Sequence, residues 1–301
     1  MRQPALRESL IGNSRPVVFK AVGTFRSSFN SARTFGTELE IAQVSDTGRI
    51  REHNEDSCGC VQPTSGAQAQ SHGWLFVVAD GVGGQDLGEV ASRTAVESVL
   101  EKFRRSAGGE SHVTLLRRLV QAANHEVYER GRSAGPGGIA LATTIVACAL
   151  RYDQVSVAHV GDSRCYLIRH DQATLLTADH TVVGEQVRLG LLSQQEAAES
   201  LNRHLLRRSL GNNLFVSVDI SHHQVVPGDV LVLCSDGLHG PVSDKDMIDV
   251  LRKDADLEMA SRELVALANQ RDGGDNITLQ LIRVRSVERV GMYRGRPYKL
   301  Y

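Results

Sequence analysis

Leu75-Phe-Val-Val-Ala-Asp-Gly-Val-Gly-Gly84 is an apolar run that stops at an acid and continues into glycines. The apolar residues before Asp80 read as a buried strand, with Asp80 at its end, where the glycines let the backbone turn sharply. A carboxylate in that position needs a partner. The arrangement returns in Val230-Leu-Val-Leu-Cys-Ser-Asp-Gly237, which aims a second acid, Asp236, from a second strand end. Two carboxylates converging in a low-dielectric place repel unless a cation lies between them, so a divalent metal is the first expectation.

Two further acids fit the pattern. Asp162 follows an apolar strand in Val160-Gly-Asp-Ser-Arg164, and Asp275 precedes one in Gly274-Asp-Asn-Ile-Thr278. A single Asp-Gly is usually an ordinary turn, but Asp80, Asp162, Asp236 and Asp275 all stand at apparent sheet ends beside glycine, serine or asparagine. No histidine or cysteine recurs beside them. Oxygen-only ligands select hard cations, so magnesium or manganese is favoured over zinc or copper.

The chain of 301 residues carries a formal net charge of -1, which gives no pull toward nucleic acid. Its apolar runs are too short to span a bilayer. Five cysteines, odd in number and without a C-x-x-C pair, fit a reducing intracellular compartment, and Cys58-x-Cys60 has the wrong spacing for half a zinc site. Residues 1–38 hold five arginines and one lysine against Glu8 and Glu38, with many serines, and are expected to be a disordered basic tail. Residues 39–286 are expected to form one domain, and 287–301 a basic C-terminal tail.

Ile41–Ser45 reads as a short strand, and the turn at Asp46–Arg49 leads into Arg51-Glu-His-Asn-Glu-Asp56, a hexapeptide dense in charged and ligand-type residues. Cys58–Gln62 continues as a strand and Pro63–Gly73 as an exposed loop. Helical spacing of apolar residues covers Leu87–Arg104 and Leu115–Arg130, then Asp244–Leu251 and Leu257–Arg271. Ala142–Leu150, Gln154–Val160 and Arg164–Arg169 read as consecutive antiparallel strands, with Tyr152-Asp153 as a hairpin turn. Residues 181–205 look like a flap with helical pieces at Val183–Arg188 and Gln194–Ser200, after which strands resume at Phe215–Ile220 and end with Ile277–Val284. Antiparallel strands in two layers with helices outside, class α+β, satisfy both patterns.

The stretches Ser45–Asp56, Val78–Gly84 with Gly88–Ser92, Ala142–Thr144, Val160–Arg164, Thr177-Ala-Asp-His180, Leu206–Gly211, Leu231–Leu238 and Gly274–Thr278 together resemble the metal-dependent protein phosphatase family (PPM, type 2C), closely its bacterial members. They occur in the family's order from about residue 40 to 285. The resemblance implies a central antiparallel β-sandwich flanked on both faces by pairs of helices, a four-layer αββα arrangement with a flap subdomain. It implies hydrolysis of phosphoserine and phosphothreonine by a hydroxide bridging two Mn2+ or Mg2+ ions. By position, Asp80 would bridge both ions, Gly81 would offer its carbonyl, Asp236 and Asp275 would hold one ion, and Glu55 and Asp56 the other. Asp162 would join Asp236 at a third ion near the flap, and Arg51 would clamp the phosphate. The expected setting is a cytoplasmic monomer acting on phosphoproteins and opposed by a serine/threonine kinase.

The chemistry supports these roles, since two ions ~3.5–4 Å apart can activate a bridging water and offset phosphoryl charge, and the planar fork of Arg51 suits a phosphate. Val82 stands where many eukaryotic members place a histidine, and valine cannot protonate a leaving alkoxide. A metal-bound water is the expected donor, with His180 at the flap's entrance and then His53 as side-chain candidates. Of the rival readings, a dinucleotide-binding module fails because Gly81-x-Gly83-Gly84 has Asp86 where the third glycine belongs. A catalytically silent phosphoprotein-binding module on the same fold would normally have lost an acid, and none is missing here.

Overall fold

The computed structural model describes residues 36–83, 87–134, 138–293 and 296–299. Most of the N-terminal tail, residues 1–35, lies outside them. Two antiparallel sheets face each other. The first contains β2 (Asp56–Val61), β3 (Trp74–Val82), β5 (Ile145–Arg151), β6 (Gln154–Val160) and β9 (Asp219–Gln224) in that order, with the short β4 (Ala142–Thr143) pairing with the far end of β3. The second contains β1 (Glu38–Asp46), β11 (Ile277–Ser286), β10 (Val230–Cys234), β7 (Arg164–Arg169) and β8 (Gln172–Leu175), again in that order.

The side-chain period of two explains why β3 and β10 are apolar at every position. Phe76 and Val78 point into the space between the sheets, where they meet Cys165, Leu231, Leu233 and Ile282. Leu75, Val77 and Ala79 point outward to α2 (Leu87–Arg104) and α3 (His112–Arg132), against Val96, Leu100, Leu116 and Leu119. The flap holds two short helices, α4 (Val182–Arg188) and α5 (Gln194–Glu199). In β10 the same alternation as in β3 sends Val230, Val232 and Cys234 out to α7 (Asp244–Lys253) and α8 (Leu257–Arg271), against Met247, Leu257 and Leu264. Each central strand is therefore covered on both faces, and the four layers follow in the order expected: helix pair, sheet, sheet, helix pair. Among the described residues no helix is long and apolar enough to cross a membrane.

Several local expectations change. Asp80 is not the end of its strand, because β3 continues through Gly81 and Val82 into pairing with β4. Gly81 is needed for close approach and not for a turn, since a Cβ there would stand 2.6 Å from the Glu55 carbonyl oxygen and collide with the backbone of Gly88. The loop expected at Pro63–Gly73 contains α1 (Gly66–Ser71), capped by the Ser65 hydroxyl on the Gln68 N–H at 3.2 Å. The strand expected at Phe215–Ile220 starts only at Asp219. Before it, α3 side chains hold the backbone, with Asn124 Nδ2 donating to the Asn213 and Leu214 carbonyls at 2.9 and 3.0 Å, and Phe215 is left 79% exposed.

Tyr152 takes the turn expected of it at φ 58°. β8 had no apolar signal, and follows a tight turn in which His170 and Asp171 both have positive φ, 46° and 59°. The C-terminal segment forms a separate hairpin of β12 (Val290–Tyr293) and β13 (Arg296–Lys299), which among the described residues pair only with each other.

Candidate functional site

The acids meet at one end of the sandwich. There β2 begins with Asp56, β3 carries Asp80, β6 gives way to Asp162, β10 gives way to α6 (Asp236–His239), and Asp275 precedes β11. Antiparallel order brings these termini together: Asp56 and Asp80 are direct cross-strand partners. Like charges in such a pair repel.

The backbone around them is tightly specified. The Asp80 N–H donates to Thr144 Oγ1 at 2.9 Å, and its carbonyl accepts from the Thr144 N–H and from Thr143 Oγ1, each at 2.8 Å. Asn276 clamps the acidic loop: Oδ1 accepts from the Glu55 N–H at 2.8 Å, while Nδ2 donates to the carbonyls of Thr47 and His53 at 2.9 and 3.0 Å. Ser92 Oγ donates to the Glu55 carbonyl at 2.6 Å. Gly88 leaves room for the Glu55 carboxylate, whose Cδ would lie 2.7 Å from any Cβ placed there. Arg51 pairs with Asp275, NH2 to Oδ2 at 2.9 Å, and both side chains face solvent at the mouth.

Electrostatically the cluster is short of positive charge. Burial, then Asp56, Asp236, Asp162 and Asp275, push the Asp80 carboxyl well above its ordinary range. Burial raises Asp56 to about 7, against the pull of hydrogen bonds from Ser235 and Thr278; the Ser235 hydroxyl donates to Asp56 Oδ2 at 2.7 Å. Burial and the neighbouring Asp236 raise Asp162 to about 7. Burial raises Glu55 also, more than Arg51 lowers it. Asp236 is the exception: burial would raise it, but a hydrogen bond from His204 and the nearby His239 hold it low. Two carboxylate oxygens, Asp56 Oδ1 and Asp236 Oδ1, are buried with no hydrogen-bond partner. Buried anionic oxygens without donors fit coordination by a hard cation.

His180 packs against the backbone of Gly161, the residue before Asp162. Its ring is buried, stacked on His159 with centroids 4.6 Å apart, and Nδ1 accepts from the Gly161 N–H at 3.1 Å. Nε2 stands 3.2 Å from Asp219 Oδ2, and Arg208 donates to the other oxygen of Asp219 at 2.7 Å. Among the described residues, His159, His180 and Asp219 are the one trio whose ligand atoms lie mutually within 4.8 Å. Arg208 already supplies the positive charge there, so that trio has no call for a cation. Burial, then His159 and Arg208, lower His180 to about 4. His53 is exposed in the acidic loop, and Val82 is 41% exposed at the end of β3 and offers no proton.

Two contributors escaped the sequence reading. Asn276 has no local signal of its role, because the groups it clamps, Glu55, His53 and Thr47, lie 221, 223 and 229 residues away. His204 lies in the polar stretch returning from the flap, where nothing in the residue order points to Asp236; its Nδ1 is 3.1 Å from Asp236 Oδ2.

A model of the protein phosphatase 2C family matches residues 49–273. The serine/threonine phosphatase stp of Listeria innocua is 34% identical over 256 residues, covering 83% of this chain and 96% of that one. The S. agalactiae serine/threonine phosphatase structure superposes with a TM-score of 0.73 at 33% identity, covering 82% of this chain and 99% of that one. The catalytic domain of the serine threonine protein phosphatase PstP, solved in complex with two manganese ions, gives 0.70 at 30% identity, with 82% and 98% covered. The chain belongs to the protein phosphatase 2C family, and the helix-flanked antiparallel sandwich is the fold it shares with these structures.

Proposed function

We infer that this chain is a metal-dependent protein phosphatase that removes phosphate from phosphoserine and phosphothreonine side chains. One observation carries the reading: five aspartates converge on one sandwich end, and two of their buried oxygens, Asp56 Oδ1 and Asp236 Oδ1, have no hydrogen-bond partner. Asp80 would serve both ions and Gly81 would offer its carbonyl, with Asp236 and Asp275 holding one ion, Glu55 and Asp56 the other, and Asp162 joining Asp236 at a third. When bound, magnesium or manganese supplies Lewis-acid stabilisation of the phosphoryl charge and activates water.

The remaining roles belong to the chain itself. Arg51 is half exposed at the mouth with Asp275 as its anchor, placed to donate two parallel hydrogen bonds to an incoming phosphate. Thr143, Thr144, Ser92 and Asn276 hold the backbone of Asp80 and Glu55 so that the carboxylates that would serve the ions stand in fixed positions. Val82 gives no proton to the departing serine or threonine oxygen and the buried His180 faces Asp219, and water is the donor in this reading, ahead of the exposed His53. The substrates are phosphoproteins made by a serine/threonine kinase, and five unpaired thiols agree with a cytoplasmic setting.

Purified protein assayed on a phosphopeptide and on an aryl phosphate should lose all turnover in chelator and regain it with Mn2+ or Mg2+. Turnover that survives exhaustive chelation would overturn the reading, and metal-loaded protein that hydrolyses neither substrate would favour a silent phosphoprotein-binding module.

His180 separates a structural part from a catalytic one. His180→Ala should cost ~2 kcal/mol of stability, because it removes a buried stacked ring and leaves the Gly161 N–H without its acceptor. Turnover of the aryl phosphate and the phosphopeptide should fall by similar, modest factors. An aryl leaving group hardly needs an acid, so a collapse confined to the phosphopeptide would make His180 the proton donor.

A further inference from the structure

The flap is closed at its base. The Val182 N–H donates to the Leu205 carbonyl at 2.9 Å and the Arg207 N–H to the His180 carbonyl at 2.8 Å, while Arg207 pairs with Glu185. Just inside this base, His204 leaves the flap and reaches the acids, with Nδ1 3.1 Å from Asp236 Oδ2. Its Nε2 lies 2.8 Å from Arg203 Nε, and Arg203 also donates to the Ala198 carbonyl at 3.3 Å. A guanidinium nitrogen only donates, so Nε2 of His204 must accept and carries no proton. The hydrogen of the ring therefore sits on Nδ1, facing the carboxylate. The flap thus reads out onto Asp236 through a short chain of donors: Arg203 to His204, and His204 to Asp236.

Asp236 uses one oxygen for this contact and keeps the other, Oδ1, buried and without a partner. A carboxylate turns easily about its terminal torsion, and a donor fixed on one oxygen decides where the second one points. We propose that His204 is a positioning residue that orients the Asp236 carboxylate toward the cation and thereby couples cation binding to the order of flap residues 183–203. The inference rests on the metal-dependent reading above. Hydrogen bonds behind a ligating carboxylate are worth ~10–100-fold in metal affinity. Linkage makes the effect reciprocal: whatever the bound cation gains from an ordered flap, the flap gains from the cation. The coupling needs no contact between the cation and the imidazole, since Asp236 touches both.

The test uses the full chain and two variants, His204→Ala and His204→Asn, whose amide nitrogen can take the place of Nδ1. His204 is 58% exposed on its side chain, so neither variant disturbs the core. Mn2+ affinity is measured by isothermal titration, and hydrogen exchange of amides 183–203 is followed with and without Mn2+. The parent should bind Mn2+ and slow flap exchange on binding. His204→Ala should bind Mn2+ about tenfold more weakly and show little metal-induced slowing, and His204→Asn should restore most of both. Unchanged affinity in His204→Ala, or full metal-induced slowing in it, would overturn the assignment. So would a flap already unprotected in metal-free His204→Ala but protected in the metal-free parent, because that marks a plain structural pin. A parent that binds no Mn2+ at all would instead remove the metal-dependent reading itself.

Discussion

Asp80→Asn should hydrolyse a phosphopeptide on the order of a thousandfold more slowly than the parent at saturating Mn2+, and should melt at a higher temperature than the parent in chelator. The loss follows from position. Asp80 stands where Asp56, Asp162, Asp236 and Asp275 all bear on it, so its charge is the one most shared among the bound ions, and centres that work by electrostatics lose two to three orders of magnitude when one charged or dipolar group is removed. The gain has the same origin. Without ions Asp80 is a buried carboxyl among like charges, and asparagine removes that charge at little cost in shape. Each kcal/mol recovered moves the midpoint by about 2–4 °C in a protein of this size. Steady-state kinetics and thermal melts in chelator check both halves. A variant keeping a tenth or more of the activity would take Asp80 out of the centre.

The metal-free protein should also lose stability as the pH rises from 6.5 to 8, with Mn2+ restoring it at the upper end. Folding raises Asp56 and Asp162 to about 7 from an ordinary value of 3.8, through burial above all. The folded state then holds protons that the unfolded chain has released. Their favourable contribution is complete below about pH 4 and is lost as the pH climbs through 7, for a total of a few kcal/mol. Buried histidines pull the other way. Burial lowers His112, His180 and His239 to about 4 from 6.5, so the stability they cost at acid pH returns as the pH rises toward 6.5. At pH 6.5 an unfolded histidine is still about half protonated, so these rings offset part of the carboxylate loss until about pH 7.5. Asp80, raised by burial, and His204, raised by its hydrogen bond to Asp236, add to that loss. Melting temperatures recorded in chelator across pH 6.5–8 should therefore fall; a flat or rising profile there would mean that the acids are not desolvated as described.

How much of this was legible depended on whether a residue's role is set nearby or far along the chain. Leu87–Arg104 was read to its end residues because an amphipathic stripe writes a helix into local order. The paired acids were legible too, since strand, acid and glycine recur in adjacent positions. β8 was not, because an exposed edge of Gln, Ala, Thr and Leu buries nothing that would impose a pattern. The Phe215–Ile220 stretch misled because its apolar character suggested a strand, while α3 fixes that backbone from about 90 residues away. Gly81 was recognised as special for the wrong reason, since the crowding that requires it comes from Glu55 and Gly88. His180 was singled out as a catalytic candidate beside the flap, yet its ring is buried against His159. His204 was passed over because its partner Asp236 lies 32 residues on and comes near only in three dimensions.

The Asn276 clamp has a consequence for how the protein is made. It grips Glu55 from 221 residues away in the chain, and the adjoining β11 pairs with β1, so the first strand of the domain waits for the last. Contacts of such long sequence separation form late. While the polypeptide is still being threaded from the ribosome, the Arg51–Asp56 loop has neither its clamp nor its neighbouring strand. Birth of the active site is thus tied to completion of synthesis: an unfinished chain can pair Asp56 with Asp80 but has neither Asp236 and Asp275 nor the clamp that fixes Glu55.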